Sequence, residues 1–74
     1  MKDYNKAIIF LNKCIALNPE EQKYLLRISE VYLISENYTK ASEYANKLID
    51  LNPLNSEAYF LKGKCQKIEF LFTL

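Results

Sequence analysis

The sequence predicts an all-α fold of four helices, and three observations lead to that prediction. One stretch of the chain repeats at a spacing of 34 residues. Apolar residues recur three and four positions apart, as on one face of a helix. Two Asn-Pro pairs interrupt this pattern, since the residue before Pro is biased away from helical backbone angles. No segment alternates with the period of two typical of a half-buried strand, so we expect no strands.

Length and composition limit the protein to one small folded domain. The chain has 74 residues, of which 50% are hydrophobic and 26% are charged, and this composition is typical of a compact core in a single domain. The net charge of +1 provides no electrostatic surface for nucleic acid or an anionic membrane. The chain has no His, the usual general base and metal ligand. We therefore expect no enzyme activity, cofactor or metal.

Two short apolar runs, residues 7–11 and 70–74, are the candidates for targeting or membrane segments. Each is far shorter than the roughly 20 residues of a spanning helix. The first residues, Met1, Lys2 and Asp3, lead into mixed polar sequence rather than a secretory segment. We therefore expect a cytoplasmic protein that does not insert into a membrane.

The two cysteines, Cys14 and Cys65, do not form a CxxC motif. Two readings are open: one disulfide, or two buried thiols that pack as small apolar side chains. We expect the second, because thiols in a cytoplasmic protein commonly behave as small hydrophobic groups.

The internal repeat relates the first predicted helix to the third. Residues 17–19 read Leu-Asn-Pro, and so do residues 51–53. Nine of the sixteen positions from 4 to 19 are identical to the positions 34 residues later. These pairs include Tyr4 with Tyr38 and Ala7 with Ala41.

Caps and apolar stripes set the first two helices. Asp3 can cap a first helix that ends at about Leu17, with a stripe of Ala7, Leu11, Cys14 and Ile15. A second helix covers roughly residues 21–35, with a stripe of Leu25, Ile28, Val31 and Tyr32.

The last two helices are predicted in the same way. Asn37 is the expected cap of a third helix over residues 38–51, whose packing stripe is Ala41, Ala45 and Leu48. A fourth helix begins near Ser56 or Glu57 and ends in an apolar tail.

The repeat resembles the tetratricopeptide repeat family, whose unit is a helix-turn-helix of 34 residues. With Pro53 at the family's Pro, a full repeat covers residues 22–55 and half repeats cover residues 1–21 and 56–74. The family's conserved positions in the full repeat are then Leu25, Ile28, Ser29, Tyr32, Tyr38, Ala41, Ala45 and Leu48. The resemblance implies one domain, residues 1–74, folded as a short right-handed α-solenoid of about four antiparallel helices.

The same resemblance assigns packing positions in the fourth helix to Tyr59, Gly63 and Cys65. It places Cys14 and Cys65 where helices approach closely and only a small side chain fits. The sequence departs from the family at three positions: Ala45, where the family has a bulky residue, Lys62, where it has Leu, and Gln66, where it has Tyr.

The resemblance also implies a concave groove that binds an extended peptide or a helix. Its predicted lining residues are Lys23, Leu26, Arg27, Glu30, Leu33, Glu57, Phe60, Lys64 and Lys67. The leucines and Phe60 would supply apolar contact, and the basic side chains could meet a carboxylate. In the alternative interpretation, the Lys and Glu side chains simply solvate an exposed face.

Apolar residues at the two ends of the chain predict a second interface. Ile8, Ile9 and Phe10 lie near one end, and Phe70, Leu71, Phe72 and Leu74 lie at the other. Burial of one large apolar side chain contributes roughly 1.5–3 kcal/mol. We therefore expect the chain to dock on another protein, to pair with itself or to form part of a longer array.

Together, these features predict a non-catalytic protein interaction module or scaffold subunit of a larger assembly. It would bind a protein or peptide partner through the groove, the apolar ends or both, and homo-oligomers are possible partners. The alternative is a purely structural or self-associating subunit without a groove ligand. Neither nucleic acid nor a membrane is an expected partner.

Overall fold

A computed structural model describes the backbone of residues 3–73 and the side chains of residues 3–67. It contains four helices: α1 (Tyr4–Leu17), α2 (Gln22–Ile34), α3 (Tyr38–Leu51) and α4 (Ser56–Thr73). The described residues form no strand. The prediction of an all-α fold with four helices is confirmed, and each predicted boundary lies within one residue of the observed one.

Side chains that precede the helices cap all four of them, and at α2 the carboxylate of Glu21 accepts a hydrogen bond of 3.3 Å from the backbone N–H two residues later. Asp3 accepts a hydrogen bond of 3.1 Å from the backbone N–H three residues later, and Asn37 accepts one of 3.3 Å in the same way. Both predicted caps are confirmed. Asn55 caps α4 with a bond of 3.2 Å to the N–H of Ala58. Each cap satisfies a donor that has no partner within its own helix.

The two Asn-Pro pairs end α1 and α3 with the same hydrogen bond. The backbone N–H of Asn18 donates to the carbonyl of Cys14 at 2.9 Å, and that of Asn52 donates to Leu48 at 2.8 Å. The proline that follows has no N–H and cannot continue the helix. The repeated sequence therefore gives repeated local structure.

The helices pack in a flat array whose shortest dimension is 15 Å. Helix α2 lies between α1 and α3, helix α3 also packs against α4, and α2 touches α4. Helix α1 is the least buried, because it packs mainly against α2, whereas each of the other three helices packs against at least two neighbours.

The core lies where α2, α3 and α4 meet. Leu25, Leu48 and Ala58 form its centre, and each is at most 1% exposed. The predicted stripe of α3 is confirmed, since Ala41, Ala45 and Leu48 are fully buried. Tyr32 and Tyr44 stack with ring centroids 5.7 Å apart and join α2 to α3.

The predicted packing positions of α4 are corrected by the structure. Tyr59 is 49% exposed, and a Cβ added at Gly63 would meet nothing within 4 Å. Helix α4 buries Ala58, Leu61 and Cys65, so the predicted packing role is confirmed for Cys65 alone. Among the described residues α4 packs mainly against α3, and Tyr59 and Gly63 lie on the side that no described residue covers. The prediction that both are packing residues was wrong for this reason.

Neither Cys14 nor Cys65 forms a disulfide, as expected. Cys65 is buried, but Cys14 is only half-buried, so the prediction of burial is wrong for Cys14. Cys14 corresponds under the repeat to the fully buried Leu48. The difference follows from position, because α1 packs mainly against α2 whereas α3 packs closely against both α2 and α4.

Candidate functional site

A groove of about 400 Å³ lies between α2 and α4, and we call it the α2–α4 groove. Five of the predicted binding residues line it together: Leu26, Glu30, Leu33, Phe60 and Lys64. Glu57, which the family resemblance also placed there, completes one margin. The structure therefore brings most of the predicted groove onto one surface.

Helical spacing explains why these side chains share the groove. The lining residues of α2 recur three and four positions apart, at 26, 30 and 33, and those of α4 recur at 57, 60 and 64. Residues at this spacing lie on one face of a helix. The opposite face of α2 carries the buried Leu25 and Ser29, which fix the rotation of the helix. Core packing thus turns the groove residues outward.

The other three predicted residues lie on neighbouring surfaces. Lys23 and Arg27 line a groove of about 500 Å³ between α1 and α2, the α1–α2 groove, and Leu26 and Glu30 border both grooves. Lys67 lines a depression on α4. We call this depression the α4 face, and its other residues are Tyr59, Phe60, Gly63 and Lys64. The predicted single groove is therefore three adjoining surfaces.

Two lining residues of the α2–α4 groove were missed by the sequence analysis. Ile34 is the last residue of α2, and Leu61 is a core residue that is 7% exposed at the base of the groove. A signal was present in the sequence, because each lies four positions after a predicted lining residue, Glu30 or Glu57. The same spacing also fits a purely buried residue, so it did not identify them.

The groove is apolar at its centre and carries charges of both signs at its margins. Phe60 is 64% exposed, and the Nζ of Lys64 lies 5.0 Å from the centroid of its ring, within the range of a cation–π interaction. Arg27 and Glu30 approach to 4.0 Å at the surface, where such a pair contributes little stability. This surface can accept an apolar side chain flanked by charged groups.

The described part of the chain contains neither a cluster of metal ligands nor a membrane-spanning helix. No three His, Cys, Asp or Glu side chains in it cluster closely enough to hold a metal ion. None of its helices has the length and apolar character needed to cross a membrane.

Most of the predicted apolar end interface lies outside the described residues. The side chains of Phe70, Leu71 and Phe72, and the whole of Leu74, lie outside the described residues. At the other end, Ile9 and Phe10 are 56% and 65% exposed. The expectation of uncovered apolar side chains on α1 is confirmed for these two residues.

The chain is similar in sequence to several characterised proteins, including the following two. It is 29% identical over 63 residues to the general transcriptional corepressor trfA of Dictyostelium discoideum, which covers 85% of this chain and 4% of that protein. It is 31% identical over 65 residues to the human protein SGT1 homolog, which covers 88% of this chain and 18% of that protein. The chain therefore spans only a small part of either relative.

The family model for the tetratricopeptide repeat matches residues 1–21 and 22–53. These matches cover more than half of the sequence, and the second contains the full helical pair of α2 and α3. Repeats of this type mediate protein–protein interaction and are typically not catalytic. The helices, the 34-residue spacing and these matches agree, and the chain belongs to the tetratricopeptide repeat family.

Proposed function

We propose that the chain is a non-catalytic protein interaction module that binds a peptide or helix of a protein partner in the α2–α4 groove. One observation carries the proposal: the half-buried Leu26 and the exposed Phe60 line the same solvent-open groove. Contiguous exposed apolar surface commonly marks an interaction site. The volume of about 400 Å³ lies within the range of known binding pockets.

The lining residues define the chemistry of the partner segment. A bulky apolar side chain would contact Leu26, Leu33 and Phe60, and its burial provides the driving force. Basic groups on either side of it would pair with Glu30 or Glu57, and an acidic group would pair with Lys64. We therefore expect a segment with an apolar residue at its centre and charges of both signs around it.

A peptide selection tests this proposal without a known partner. A phage-displayed library of random peptides is selected on the wild-type chain, and the enriched peptides are synthesised. Their dissociation constants are then measured by fluorescence polarisation with the wild type and with Phe60→Asp. Because Phe60 is 64% exposed, this substitution changes the groove and leaves the core intact. We expect at least about tenfold weaker binding by Phe60→Asp, since the loss of one apolar contact costs roughly 1.4 kcal/mol or more.

The matched control is Leu54→Asp, which adds the same charge at a residue that is 91% exposed and lies in the turn before α4. Peptides bound in the α2–α4 groove should bind this variant as they bind the wild type. Peptides that bind Phe60→Asp as tightly as the wild type contradict the proposal. So does a selection that enriches no peptide. Circular dichroism of both variants verifies that their helices are retained.

A further inference from the structure

Part of the α1–α2 groove corresponds, through the 34-residue repeat, to a surface that is buried within the chain. Five of its nine lining residues, Ala7, Leu11, Tyr24, Arg27 and Val31, correspond to Ala41, Ala45, Ala58, Leu61 and Cys65. All five of the latter are at most 7% exposed. In the groove itself Leu11 is also buried, but Ala7, Tyr24 and Val31 are only half-buried and Arg27 is exposed. This part of the groove is therefore a partly uncovered counterpart of a buried surface.

Helix α2 is the element that covers this surface in the α3–α4 pair. Its Ser29 donates a hydrogen bond of 2.8 Å to the carbonyl of Ala41, its Tyr32 stacks on Tyr44, and its Leu25 packs in the cluster that contains Ala58. The open α1–α2 groove is thus shaped for a helix that resembles α2.

Helix α4 is the counterpart of α2 in the repeat. The residues 34 positions after Leu25, Ser29 and Tyr32 are Tyr59, Gly63 and Gln66, and all three are exposed. At Gly63 an added Cβ would meet nothing within 4 Å. The face that α2 uses to pack on α3 is therefore uncovered on α4.

We propose that α4 of one copy of the chain binds in the α1–α2 groove of a second copy, in the position that α2 holds against α3 and α4. The identity of nine of sixteen positions between residues 4–19 and 38–53 argues for this occupant, because α1 then offers α4 much of the surface that α3 offers α2. The 18 residues of α4 also exceed the 13 residues of α2, so α4 is long enough to cover the groove.

The intrachain contacts specify where the two copies meet. The backbone at Gly63 lies against α1 near Ala7, as Ser29 lies against Ala41. Phe10 of the second copy packs along the stem of Gln66, as Tyr44 packs on Tyr32. This contact covers a phenyl ring that is 65% exposed in one copy. Each copy contributes a different surface, so the association is head to tail and can extend beyond two copies.

Lys62 limits the strength of this association. It corresponds to Ile28, which is fully buried between helices. A lysine in that place must extend its ammonium group to water, because burial of an unpaired charge is costly. We therefore expect weak self-association that Lys62→Ile strengthens.

The self-association is measured on the full chain by sedimentation velocity, at concentrations from about 10 µM to about 1 mM, where weak complexes form. The wild type should sediment faster as concentration rises. Phe10→Glu should raise the dissociation constant at least about tenfold, the effect of roughly 1.4 kcal/mol. Ile9→Glu is its matched control, because Ile9 is similarly exposed on α1 and does not line the groove.

Gly63 supplies a second matched pair on the other surface. Gly63→Phe should block the approach of a second copy, whereas Gly63→Ala should leave it intact, because the Cβ of Ser29 fits at the equivalent position. Alanine fits in one copy, since a Cβ added at Gly63 meets nothing within 4 Å, and circular dichroism checks that the phenylalanine variant keeps its helices.

A mixture of the two blocked variants tests the head-to-tail geometry. Phe10→Glu retains its α4 face, and Gly63→Phe retains its α1–α2 groove. Each variant alone should remain a monomer, and their mixture should form a one-to-one complex of two chains. An interface that uses the same surface on both copies would not restore binding in this way.

Several results would overturn this proposal. They are a wild-type chain that stays monomeric at every concentration, equal effects of Phe10→Glu and Ile9→Glu, no complex in the mixture, and no strengthening by Lys62→Ile. Phe10 and Gly63 do not line the α2–α4 groove, so these results leave the peptide-binding proposal unaffected. Circular dichroism of each variant shows that the helices are retained.

Discussion

The hydroxyl of Ser29 donates a hydrogen bond of 2.8 Å to the backbone carbonyl oxygen of Ala41, and both residues are fully buried. Helices α2 and α3 approach each other closely at this point, where each contributes a small side chain. The bond satisfies the serine hydroxyl, which would otherwise be a costly buried polar group.

Two substitutions at Ser29 should separate the hydrogen bond from the packing. Ser29→Ala removes the bond and its donor together, so we expect a loss of about 0.5–1.5 kcal/mol in the free energy of unfolding. Ser29→Val adds a methyl group between two helices, and we expect a larger loss of about 1–3 kcal/mol. Urea denaturation followed by circular dichroism measures both. A valine variant that is more stable than the alanine variant would show that the space between α2 and α3 can hold a larger side chain.

Local sequence signals predicted the helices well because the interactions that end them are local. The caps at Asp3 and Asn37 and the stops at the two Asn-Pro pairs involve residues three or four positions apart. The exposure of Tyr59 and Gly63 could not be predicted in this way. It depends on which helices surround α4, and the repeat pattern assumes neighbours on both sides.

Leu48 should be the most sensitive aliphatic position in α3. It is fully buried in the cluster that joins α2, α3 and α4. Leu48→Ala removes apolar contact and leaves a cavity, so we expect a loss of about 2–5 kcal/mol in the free energy of unfolding. The total stability of small domains is of the order of 5–15 kcal/mol, so the thermal transition should shift strongly. Differential scanning calorimetry measures that shift.

The matched control for this prediction is Leu54→Ala. The same atoms are removed from a residue that is 91% exposed, and surface substitutions of this kind usually change stability by less than about 0.5 kcal/mol. Equal losses in the two variants would contradict the position of the core at the junction of α2, α3 and α4.

Tyr44 should make stability depend on pH above neutrality. Burial raises the pKa of the Tyr44 hydroxyl above its ordinary value of 10.0, Tyr32 and Glu43 raise it further, and Lys40 opposes them. As pH rises through 10, the unfolded chain loses this proton before the folded chain does. The folded state then binds more protons, so the free energy of unfolding falls as pH increases. Below the unfolded pKa the contribution of Tyr44 is intact.

The variant Tyr44→Phe isolates this effect from the other tyrosines. It keeps the stacking on Tyr32 and loses only a long, exposed hydrogen bond of 3.4 Å to Asn12. The difference in stability between the wild type and this variant should be constant up to about pH 9 and should move against the wild type as pH rises above about 10. Urea denaturation at each pH measures the difference. A difference that stays constant throughout, or that moves in favour of the wild type, would contradict the raised pKa.

The repeat predicts which face of its helix each groove residue occupies, and to that extent the groove could be predicted from the sequence. Leu26 and Phe60 are 34 positions apart and line the same groove, as the family resemblance implied. The separation of Lys23 and Lys67 from that groove was not predictable. It depends on where α1 and α4 lie relative to α2. The sequence pattern of one helix does not predict the positions of its neighbours.

Glu36 adopts a backbone conformation that favours glycine, and its replacement should stabilise the protein. Its φ is +68°, at the residue where the chain leaves α2. The N–H of Asn37 donates to the carbonyl of Tyr32 at 2.8 Å, and that of Glu36 donates to Leu33 at 3.1 Å. These are the two hydrogen bonds of a Schellman motif, in which glycine usually occupies the position of Glu36.

Glu36→Gly should therefore raise the free energy of unfolding by up to about 1 kcal/mol. A left-handed conformation costs an L-residue roughly 1–2 kcal/mol, which glycine avoids. Part of this gain is offset because glycine loses more conformational entropy on folding. The control is Glu43→Gly, which removes the same side chain from an exposed position inside α3. There glycine should lower stability by about 1 kcal/mol. Thermal denaturation of both variants measures effects of opposite sign. A loss of stability in both variants would show that the chain gains nothing from glycine at the end of α2.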